Sequence, residues 1–457
     1  MSKTSQKNLF YGSLMDMLDT HDPLIQLADT IPWSKFEDEF KKYYTGEGRP
    51  PKPIRLMVGI LLLKQLKNLS DESIVEHWKQ NPYFQYFCGL NDYQASVPCH
   101  PTELVKFRNR IGKEGMEFIF KMSVELHGEA AQESQVIVDS TVQESNMTFP
   151  TDGKLAIKII IHLIRIAKDE NIKLRRSYKK EVKELRILLR FFRHPKKIKK
   201  ALGAMKRLRK IAKTILLDID RKFEENIELH SKYAEAFYLY MRVLLQEKNT
   251  PNKIYSLHEI DAYAINKGKD HKGYEFGTKA SIVTTKDSCI IVGVSAHKTN
   301  IHDSKTLQEV LTNATDNRTA PITEAICDRG YRGTKEVTIA EHTIEISIPG
   351  TVLKKDTKAQ KEVKKEKFRR RAAIEPIIGH MKSDYRMARN YLKGFAGDEI
   401  NLLLAASAFN LKKWMNIYFY AVFLRDITLS LKAIEEMRKA ILLIRYLLLV
   451  QNIFSKN

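Results

Sequence analysis

Three acidic residues, Asp139, Asp328 and Glu375, have the positions expected of a site that handles metal ions. Asp139 ends the apolar run QVIVD, Asp328 ends a second such run, ITEAICD, and Glu375 lies 47 residues beyond Asp328. Carboxylates brought together repel one another, and hard divalent cations such as Mg²⁺, which take oxygen ligands, neutralise them. Two such ions about 4 Å apart can activate an attacking oxygen and stabilise a leaving one in a phosphodiester displacement. Any one of these acids alone is more often a solvated turn residue, so the interpretation depends on the elements that hold all three.

The pattern around these acids predicts an α/β fold with a mixed sheet. QVIVDSTV is a buried strand, and after residue 270 come two strands joined by a turn at Lys286-Asp287, a helix opened by Asp303, two strands (ITEAICD and HTIEISIP) and the helix RAAIEPIIGHMKSDYRM. This order fits an RNase H-like core with a long insertion after its first strand. In such a sheet the first and fourth strands are parallel neighbours, which would place Asp139 beside Asp328, and the last helix would bring Glu375 against them.

Residues 1–130 have the periodicity of a helical domain. The segment PIRLMVGILLLKQLKNLSDESIVEHWKQ predicts two helices split at Leu69-Ser70, with Ser70 as N-cap and two acids in the first turn of the second helix. The pair is helix-turn-helix-like and could read DNA. A simple packed helical pair explains the same pattern, and both readings stay open.

The insertion, residues 153–255, is predicted to be helical and is strongly basic. Between Asn171 and Ile215 it has 18 Lys or Arg against two Glu, a local excess of +16 within a chain whose net charge is +22. Apolar residues at helical spacing predict one buried stripe, formed by Ile198, Leu202, Met205, Leu208, Ile211 and Ile215. A charge run is usually a solvated face, but this one lacks interleaved acids, which favours a surface for the nucleic-acid backbone. The predicted phosphate contacts are Lys196, Lys197, Lys199 and Lys200.

Composition restricts the classes of function. A 457-residue chain that is 43% hydrophobic predicts two or three globular domains, and a pI near 9.5 favours a polyanionic partner, nucleic acid before an anionic membrane surface. Four cysteines without metal-ligand spacing and an N-terminus without a signal-peptide core predict a cytoplasmic protein, nucleoid-associated when bound to DNA. No apolar run is long enough to span a membrane. Phosphate-loop, zinc-protease and nucleophile-elbow motifs are absent from the sequence.

The C-terminal segment resembles the signature of the DDE transposases of bacterial insertion sequences. That signature is a Tyr, an Arg three positions on, a Glu four later and a Lys seven after that; here the positions hold Phe368, Arg371, Glu375 and Lys382. The segments VIVDSTV, ICDRGYRG and GDEINLLLAASAFNLKKW also look like their counterparts in the insertion-sequence-five-like group of that family. The resemblance covers roughly residues 50–414. Phe368 departs from the pattern and lacks a hydroxyl that could contact a phosphate.

The resemblance implies a metal-dependent recombinase. It would bind the terminal inverted repeats of its element, cut at the ends and join the 3′-hydroxyls to target DNA. Asp139, Asp328 and Glu375 would be the catalytic triad, holding two Mg²⁺ ions for which Mn²⁺ could substitute, with Arg371 and Lys382 as DNA contacts. The partner would be double-stranded DNA, at element ends and target, with no membrane involved, and cutting two ends implies a homodimer or larger assembly. A structure-specific nuclease or resolvase on the same scaffold, and a DNA-binding protein derived from a transposase, are the alternatives.

The turn after Asp328 and the C-terminal tail are the remaining regions with a predicted role. Arg329 and Arg332 follow Asp328 on a turn bracketed by glycines, where they can approach a phosphate backbone or pair with surface acids. The apolar tail, residues 415–457, is predicted to be an oligomerising helix or sequence altered by a frameshift. The expected organisation is therefore a helical domain (1–130), the first strand (131–152), the basic insertion (153–255), the rest of the catalytic core (256–414) and the tail.

Overall fold

The computed structural model describes residues 13–44, 51–224, 226–269, 272–348, 350 and 356–454. Within these ranges the front helices are α1 (Leu14–Met17), α2 (Pro23–Thr30), α3 (Trp33–Lys41), α4 (Ile54–Leu66), α5 (Asp71–Gln80), α6 (Pro82–Phe87) and α7 (Pro101–Glu125). The first strand is β1 (Gln135–Glu144), and the insertion that follows it contains α8 (Asp152–Asp169), α9 (Lys179–Leu188), α10 (Ile198–Phe223) and α11 (Ile227–Leu245).

The remaining strands are β2 (Tyr263–Lys269), β3 (Lys272–Thr285), β4 (Ile291–His297), β5 (Glu324–Ile326), β6 (Glu336–Ile339) and β7 (His342–Ser347). The remaining helices are α12 (Leu307–Asp316), α13 (Lys358–Arg371), α14 (Ile374–Ser383) and α15 (Gly394–Phe454). The chain therefore alternates between helical and sheet-forming regions in the order that the sequence predicts.

The seven strands of the described ranges form one mixed sheet with β1 at its centre. On one side β1 is antiparallel to β3, which pairs in turn with β2 and β4; on the other side β1 is parallel to β5, β5 is parallel to β7, and β6 forms the edge. The predicted parallel pairing of the strands that lead to Asp139 and Asp328 is confirmed. The prediction that Asp139 ends its strand is wrong, because β1 continues along β3 as far as Glu144. The three residues before Asp139 are fully buried, as expected for a central strand covered on both faces.

The structure corrects several element boundaries. Strands β2 and β6 were not predicted, because the first is rich in Lys, Gly and Asn and the second has only four residues. Asp303 does not open a helix; it begins a short 3-10 turn, and α12 starts at Leu307. The helix predicted from Arg371 to Met387 is shorter in the structure, where α14 runs from Ile374 to Ser383, and the preceding helix α13 was not predicted. Helix α14 starts anew after α13 because Pro376 has no N–H and its ring would clash with the carbonyl of the residue four positions earlier in a continuous helix.

The front helices share one hydrophobic core with the sheet. Helix α4 is buried along most of its length, and Ser70 caps α5 as predicted, accepting a hydrogen bond from the backbone N–H of Ser73 at 3.1 Å. Asp71 joins the two helices to α7, because its carboxylate contacts Lys64 Nζ at 2.9 Å and Arg108 Nη2 at 2.6 Å in a nearly buried cluster. The outer face of α5 is polar and consists of Glu72, Glu76, His77 and Gln80.

The insertion has a separate hydrophobic core, built mainly from α8, α10 and α11. The predicted stripe on α10 is correct from Leu208 onward and wrong before it, where Ile198 and Leu202 are 38% and 41% exposed. The buried face continues instead through Ala201 and Ala204, which keep the three-and-four spacing of the stripe. Alanine has no long side chain, so these positions gave no apolar signal although they face the core.

Helix α15 connects the sheet to the predicted tail. Its first half packs against α7, α4 and β4, and near its start Asp398 accepts a hydrogen bond from Asn390 Nδ2 at 2.7 Å and another from Thr278 Oγ1. Asn401 Nδ2 donates to Gln143 Oε1 at 2.9 Å, which fastens the helix to β1. The helix then continues without a break as far as Phe454. Among the residues that the structure describes, no helix has the length and apolarity needed to cross a membrane.

Candidate active site

The structure places Asp139, inside β1, level with Asp328, which lies two residues beyond the end of the adjacent parallel strand β5. Ile137 pairs with Ile326 in the ladder between β1 and β5, and each acid lies two residues beyond its member of that pair. Both side chains are half-buried at the same edge of the sheet. Neighbouring strands lie about 4.8 Å apart, so the two carboxylates face a common space.

Backbone hydrogen bonds orient both carboxylates. Asp139 Oδ1 accepts a hydrogen bond from the backbone N–H of Ser140 at 2.7 Å, and Asp328 Oδ1 accepts one from the backbone N–H of Gly330 at 2.7 Å. The second bond makes Asp328 the cap of the 3-10 turn Arg329–Tyr331. Burial raises the pKa of the Cys327 thiol, and the charges of Asp328 and Asp139 raise that pKa further, which is consistent with both carboxylates lying near it.

The turn after Asp328 alternates exposed and buried side chains. Arg329 and Arg332 are exposed, whereas Tyr331 between them is completely buried. Burial raises the pKa of Tyr331, and Asp139, Asp303 and Asp328 raise it further. Its hydroxyl has no hydrogen-bond partner within the described ranges. The two arginines therefore flank the carboxylate site from outside while a buried hydroxyl lies among the acids.

Glu375 lies in the first turn of α14, a helix that packs on β1 through Ile374 and Ile377. Its side chain is 61% exposed, and its Oε1 accepts a hydrogen bond from Arg371 Nη2 at 2.9 Å. The sequence-based expectation was that three carboxylates converge, but in the described part of the chain no three His, Cys, Asp or Glu side chains are grouped as metal ligands. The carboxylate of Glu375 does not join the other two acids because it pairs with Arg371, the last residue of α13.

A carboxylate that the sequence reasoning did not assign to the site, Asp303, does reach this edge of the sheet. Its Oδ1 accepts hydrogen bonds from Ser140 Oγ at 2.9 Å and from Lys279 Nζ at 3.0 Å. Asp303 was read as a helix N-cap, and its sequence neighbourhood, HDSK, has no feature that distinguishes a capping acid from one that faces a site. The contact comes from the packing of the loop after β4 across β3 and β1.

Two family models match the chain on either side of its basic insertion. Residues 12–110 match "Transposase domain (DUF772)", and residues 255–411, which include Asp328 and Glu375, match "Transposase DDE domain". The chain belongs to the DDE transposases of insertion sequences. A DDE-type transposase is an enzyme that cleaves DNA and transposes it, and the family generally uses divalent metal ions.

A protein of Rhizobium meliloti described as "Uncharacterized protein ORF8 in nfe locus" is 38% identical to the transposase over 196 residues. The match covers 42% of this chain and 95% of that relative. No solved structure matches the transposase.

The residues of the transposase fit a divalent ion at the edge formed by β1 and β5. Asp139 on β1 and Asp328 just beyond β5 present carboxylate oxygens, which are the ligands that hard cations take. The orphaned hydroxyl of Tyr331 lies among these acids, and a buried donor without a protein partner is unfavourable unless a ligand or water receives it. Asp139 and Asp328 would hold the ion.

The predicted DNA contacts of the transposase lie in two places. Arg371 lies 6.0 Å above the ring of the exposed Phe368, and Lys382 is half-buried two turns after Glu375. In the insertion, the predicted phosphate contacts precede and begin α10, and all four side chains are exposed: Lys196, Lys197, Lys199 and Lys200. None of these four forms an ion pair with a carboxylate in the described residues, so their charge faces solvent.

Proposed function

We propose that this transposase binds the terminal inverted repeats of its insertion sequence, cleaves the DNA at the element ends and joins the 3′-hydroxyls to target DNA. The observation that carries the proposal is the parallel pairing of β1 and β5, with Asp139 and Asp328 level at its edge. The sheet order supports an RNase H-like core, since β4, β3, β1, β5 and β7 follow one another with β1 antiparallel to β3 and parallel to β5. The strand β2 and the edge strand β6 are additions to that core.

In this proposal Asp139, Asp328 and Glu375 act together. Bound Mg²⁺, as two ions, would activate the attacking oxygen and stabilise the leaving oxygen of the phosphodiester. Asp139 and Asp328 are held by their backbone hydrogen bonds, so they bind first and need little rearrangement. Glu375 has to exchange its contact with Arg371 for the site. That contact joins Glu375, whose side chain is 61% exposed, to Arg371, whose side chain is 16% exposed, so the exchange leaves a mostly buried guanidinium for which a DNA phosphate would be the new partner.

Positive side chains around the acids would position the DNA. Arg329 and Arg332 flank the site and can contact phosphates, and Arg371, once released by Glu375, becomes a further donor at the same edge. Lys382 lies in the last turn of α14. The lysines at the start of α10 would add affinity that does not depend on base sequence.

The front helices would recognise the base sequence of the inverted repeats. Helix α4 is buried, so α5 is the member of the helix pair that can enter a groove. The outer face of α5 has two glutamates, a histidine and a glutamine, which are side chains suited to base edges more than to phosphates. A homodimer or larger assembly on DNA is proposed because two element ends are cut.

The proposal is tested with amide variants of the three acids. Asp139→Asn, Asp328→Asn and Glu375→Gln keep shape but remove a negative charge and a metal-oxygen ligand, so cleavage of a duplex carrying the element end in Mg²⁺ should fall by orders of magnitude. Binding to the same duplex in chelator should equal or exceed that of the parent, because one carboxylate fewer repels the phosphates.

Asp384→Asn is the matched control. Asp384 is an exposed acid just beyond α14 that accepts hydrogen bonds from Ser383 Oγ at 2.7 Å and His380 Nδ1 at 2.8 Å, and its amide should cleave at the parent's rate. If Glu375→Gln cleaves normally while Asp384→Asn is inactive, the third ligand is misassigned. Normal cleavage by all three amides would reject the metal mechanism.

A further inference from the structure

Asp303 is linked to Asp139 through Ser140 and lies across Gly330 from Asp328. Its Oδ1 accepts a hydrogen bond from Ser140 Oγ at 2.9 Å, and Ser140 is the residue whose backbone N–H orients Asp139. Lys279, a nearly buried lysine on β3, donates to the same oxygen at 3.0 Å and to the carbonyl of Ile301 at 2.6 Å. The loop that carries Asp303 is thus clamped to β1 and β3, and the lysine compensates the charge of Oδ1.

The other oxygen of Asp303 points toward Asp328 across Gly330. A Cβ atom placed on Gly330 would lie 2.9 Å from Asp328 Oδ1 and 3.1 Å from Asp303 Oδ2. The two oxygens are therefore separated by at most the sum of these distances, 6.0 Å. Any side chain at position 330 would enter the space between the two carboxylates, which gives a physical reason for glycine in the ICDRGYRG segment.

We propose that Asp303 is a further acidic residue of the metal site, a positioning residue that acts through its Oδ2 on the water shell of the ion. This inference rests on the proposed function, in which Asp139 and Asp328 hold that ion. Mg²⁺ keeps several waters when one or two carboxylates bind it, and such waters need acceptors. Asp303 Oδ2 is an acceptor at most 6.0 Å from Asp328 Oδ1, and the lack of a three-ligand group in the described residues argues against direct coordination.

The buried hydroxyl of Tyr331 supports the same assignment independently. It lies near Asp139, Asp303 and Asp328, and it has no hydrogen-bond partner in the part of the chain that the structure describes. A donor of this kind among three carboxylates is suited to a water molecule bridging the acids. In this arrangement Asp139 and Asp328 would bind the ion, and Asp303 and Tyr331 would orient a water molecule bound to it.

Asp303→Asn separates the proposed role from simple packing. The amide oxygen can take the place of Oδ1 and keep the hydrogen bonds from Ser140 and Lys279, which leaves the NH₂ group at the position of Oδ2. The clamp is retained, but the oxygen that faces the site loses its charge and its ability to accept. The experiment is calorimetric titration of the full-length protein with Mn²⁺ in the absence of DNA, with thermal unfolding recorded for each variant.

Asp303→Asn should weaken Mn²⁺ binding by about tenfold or more, as expected for the loss of an outer-shell partner. Asp316→Asn, an exposed acid at the end of α12, should bind as the parent does. If Asp139→Asn abolishes binding while Asp303→Asn stays within about twofold of the parent, the inference about Asp303 is wrong and the proposed function stands. If Asp139→Asn and Asp303→Asn both bind as the parent does, both proposals fail.

A second measurement uses the unaltered protein. Fe²⁺ bound in place of the physiological ion, with ascorbate and peroxide, generates hydroxyl radicals that cut the chain close to the metal. Cuts near residue 303 in addition to those near residues 139 and 328 would support the inference. Cuts near 139 and 328 without any near 303 would overturn it, whatever the stability of the variants.

Discussion

The basic insertion permits a quantitative prediction about DNA affinity. Lys196, Lys197, Lys199 and Lys200 lie between a 3-10 turn and the first turn of α10, all exposed and none paired with an acid in the described ranges. Replacing all four by alanine removes charge from a surface without disturbing the insertion's core. The quadruple variant should therefore lose affinity for element ends and for random duplexes alike.

The size of the effect follows from counterion release. Each phosphate contact contributes about 0.9 to the slope of log K against log salt concentration, so four contacts contribute about 3.6. Lys197 Nζ lies 4.5 Å above the ring of Phe191, and if that contact is retained on DNA the remaining three lysines contribute about 2.7. If binding near 1 M salt is unchanged, a slope reduced by about 3 corresponds to roughly 10³-fold weaker binding at 0.1 M.

The assay is fluorescence anisotropy of a labelled duplex, measured in chelator over about 50 to 300 mM salt. The control is Lys222→Ala combined with Lys232→Ala in the same insertion. Lys222 pairs with Asp218 at 3.0 Å and Lys232 with Glu170 at 2.7 Å, so their charge is already compensated and the slope should change little.

A slope that is unchanged in the quadruple variant would refute the assignment of this surface to the DNA backbone. So would an equal loss of slope in the control, because the unpaired lysines would then have no special role. A loss of affinity for element ends without a loss for random duplexes would instead mean that the insertion reads sequence.

Two further predictions concern stability, both measured by urea denaturation of the full chain. Asp71→Asn leaves Lys64 and Arg108 as uncompensated buried cations, so it should lower the free energy of unfolding by about 3 to 5 kcal/mol. The exposed Glu72→Gln is the control and should leave the free energy of unfolding unchanged. The destabilisation by Asp71→Asn should shrink above pH 8, because burial lowers the pKa of Lys64 to about 8 and a neutral Lys64 needs no partner. Burial also lowers the pKa of His127 to about 4 from its ordinary 6.5, so neutral His127 stabilises the fold above pH 6.5 and that contribution, roughly 3 kcal/mol, is lost as the pH falls to 4. His127→Gln should flatten this dependence, and parallel curves for variant and parent would contradict the reasoning.

Local sequence was sufficient for most of the secondary structure near the site. The cap at Ser70, the turn at Lys286-Asp287 and the helical insertion are confirmed, because each depends on residues close in the chain. The short or polar strands β2 and β6 were missed for the opposite reason. Each of them is stabilised by backbone hydrogen bonds to a neighbouring strand, β3 for β2 and β7 for β6. The residues of β2 and β6 alone do not show that such a neighbour is present.

Helix periodicity predicted burial only where the side chains were large. On α10 the stripe from Leu208 is confirmed, whereas Ile198 and Leu202 are exposed and alanines take their place against the core. Which face of a helix is buried at its end depends on what packs there. The separate core of the insertion, and the shared core of the front helices and the sheet, likewise appear only in three dimensions.

For the candidate site, the sequence by itself determined that the apolar runs leading to Asp139 and Asp328 form neighbouring parallel strands, but not that β1 continues past Asp139. The apolar runs identify the buried strands, and the order of strands and helices along the chain restricts how those strands can be arranged. Because connections between elements are short, few sheet topologies remain possible. Only the tertiary structure decided that Glu375 turns outward to Arg371 and that Asp303 reaches the same edge. Side-chain direction and the path of a loop depend on contacts between residues far apart in the chain, here Asp303 with Ser140 and Lys279, and no local pattern encodes those contacts.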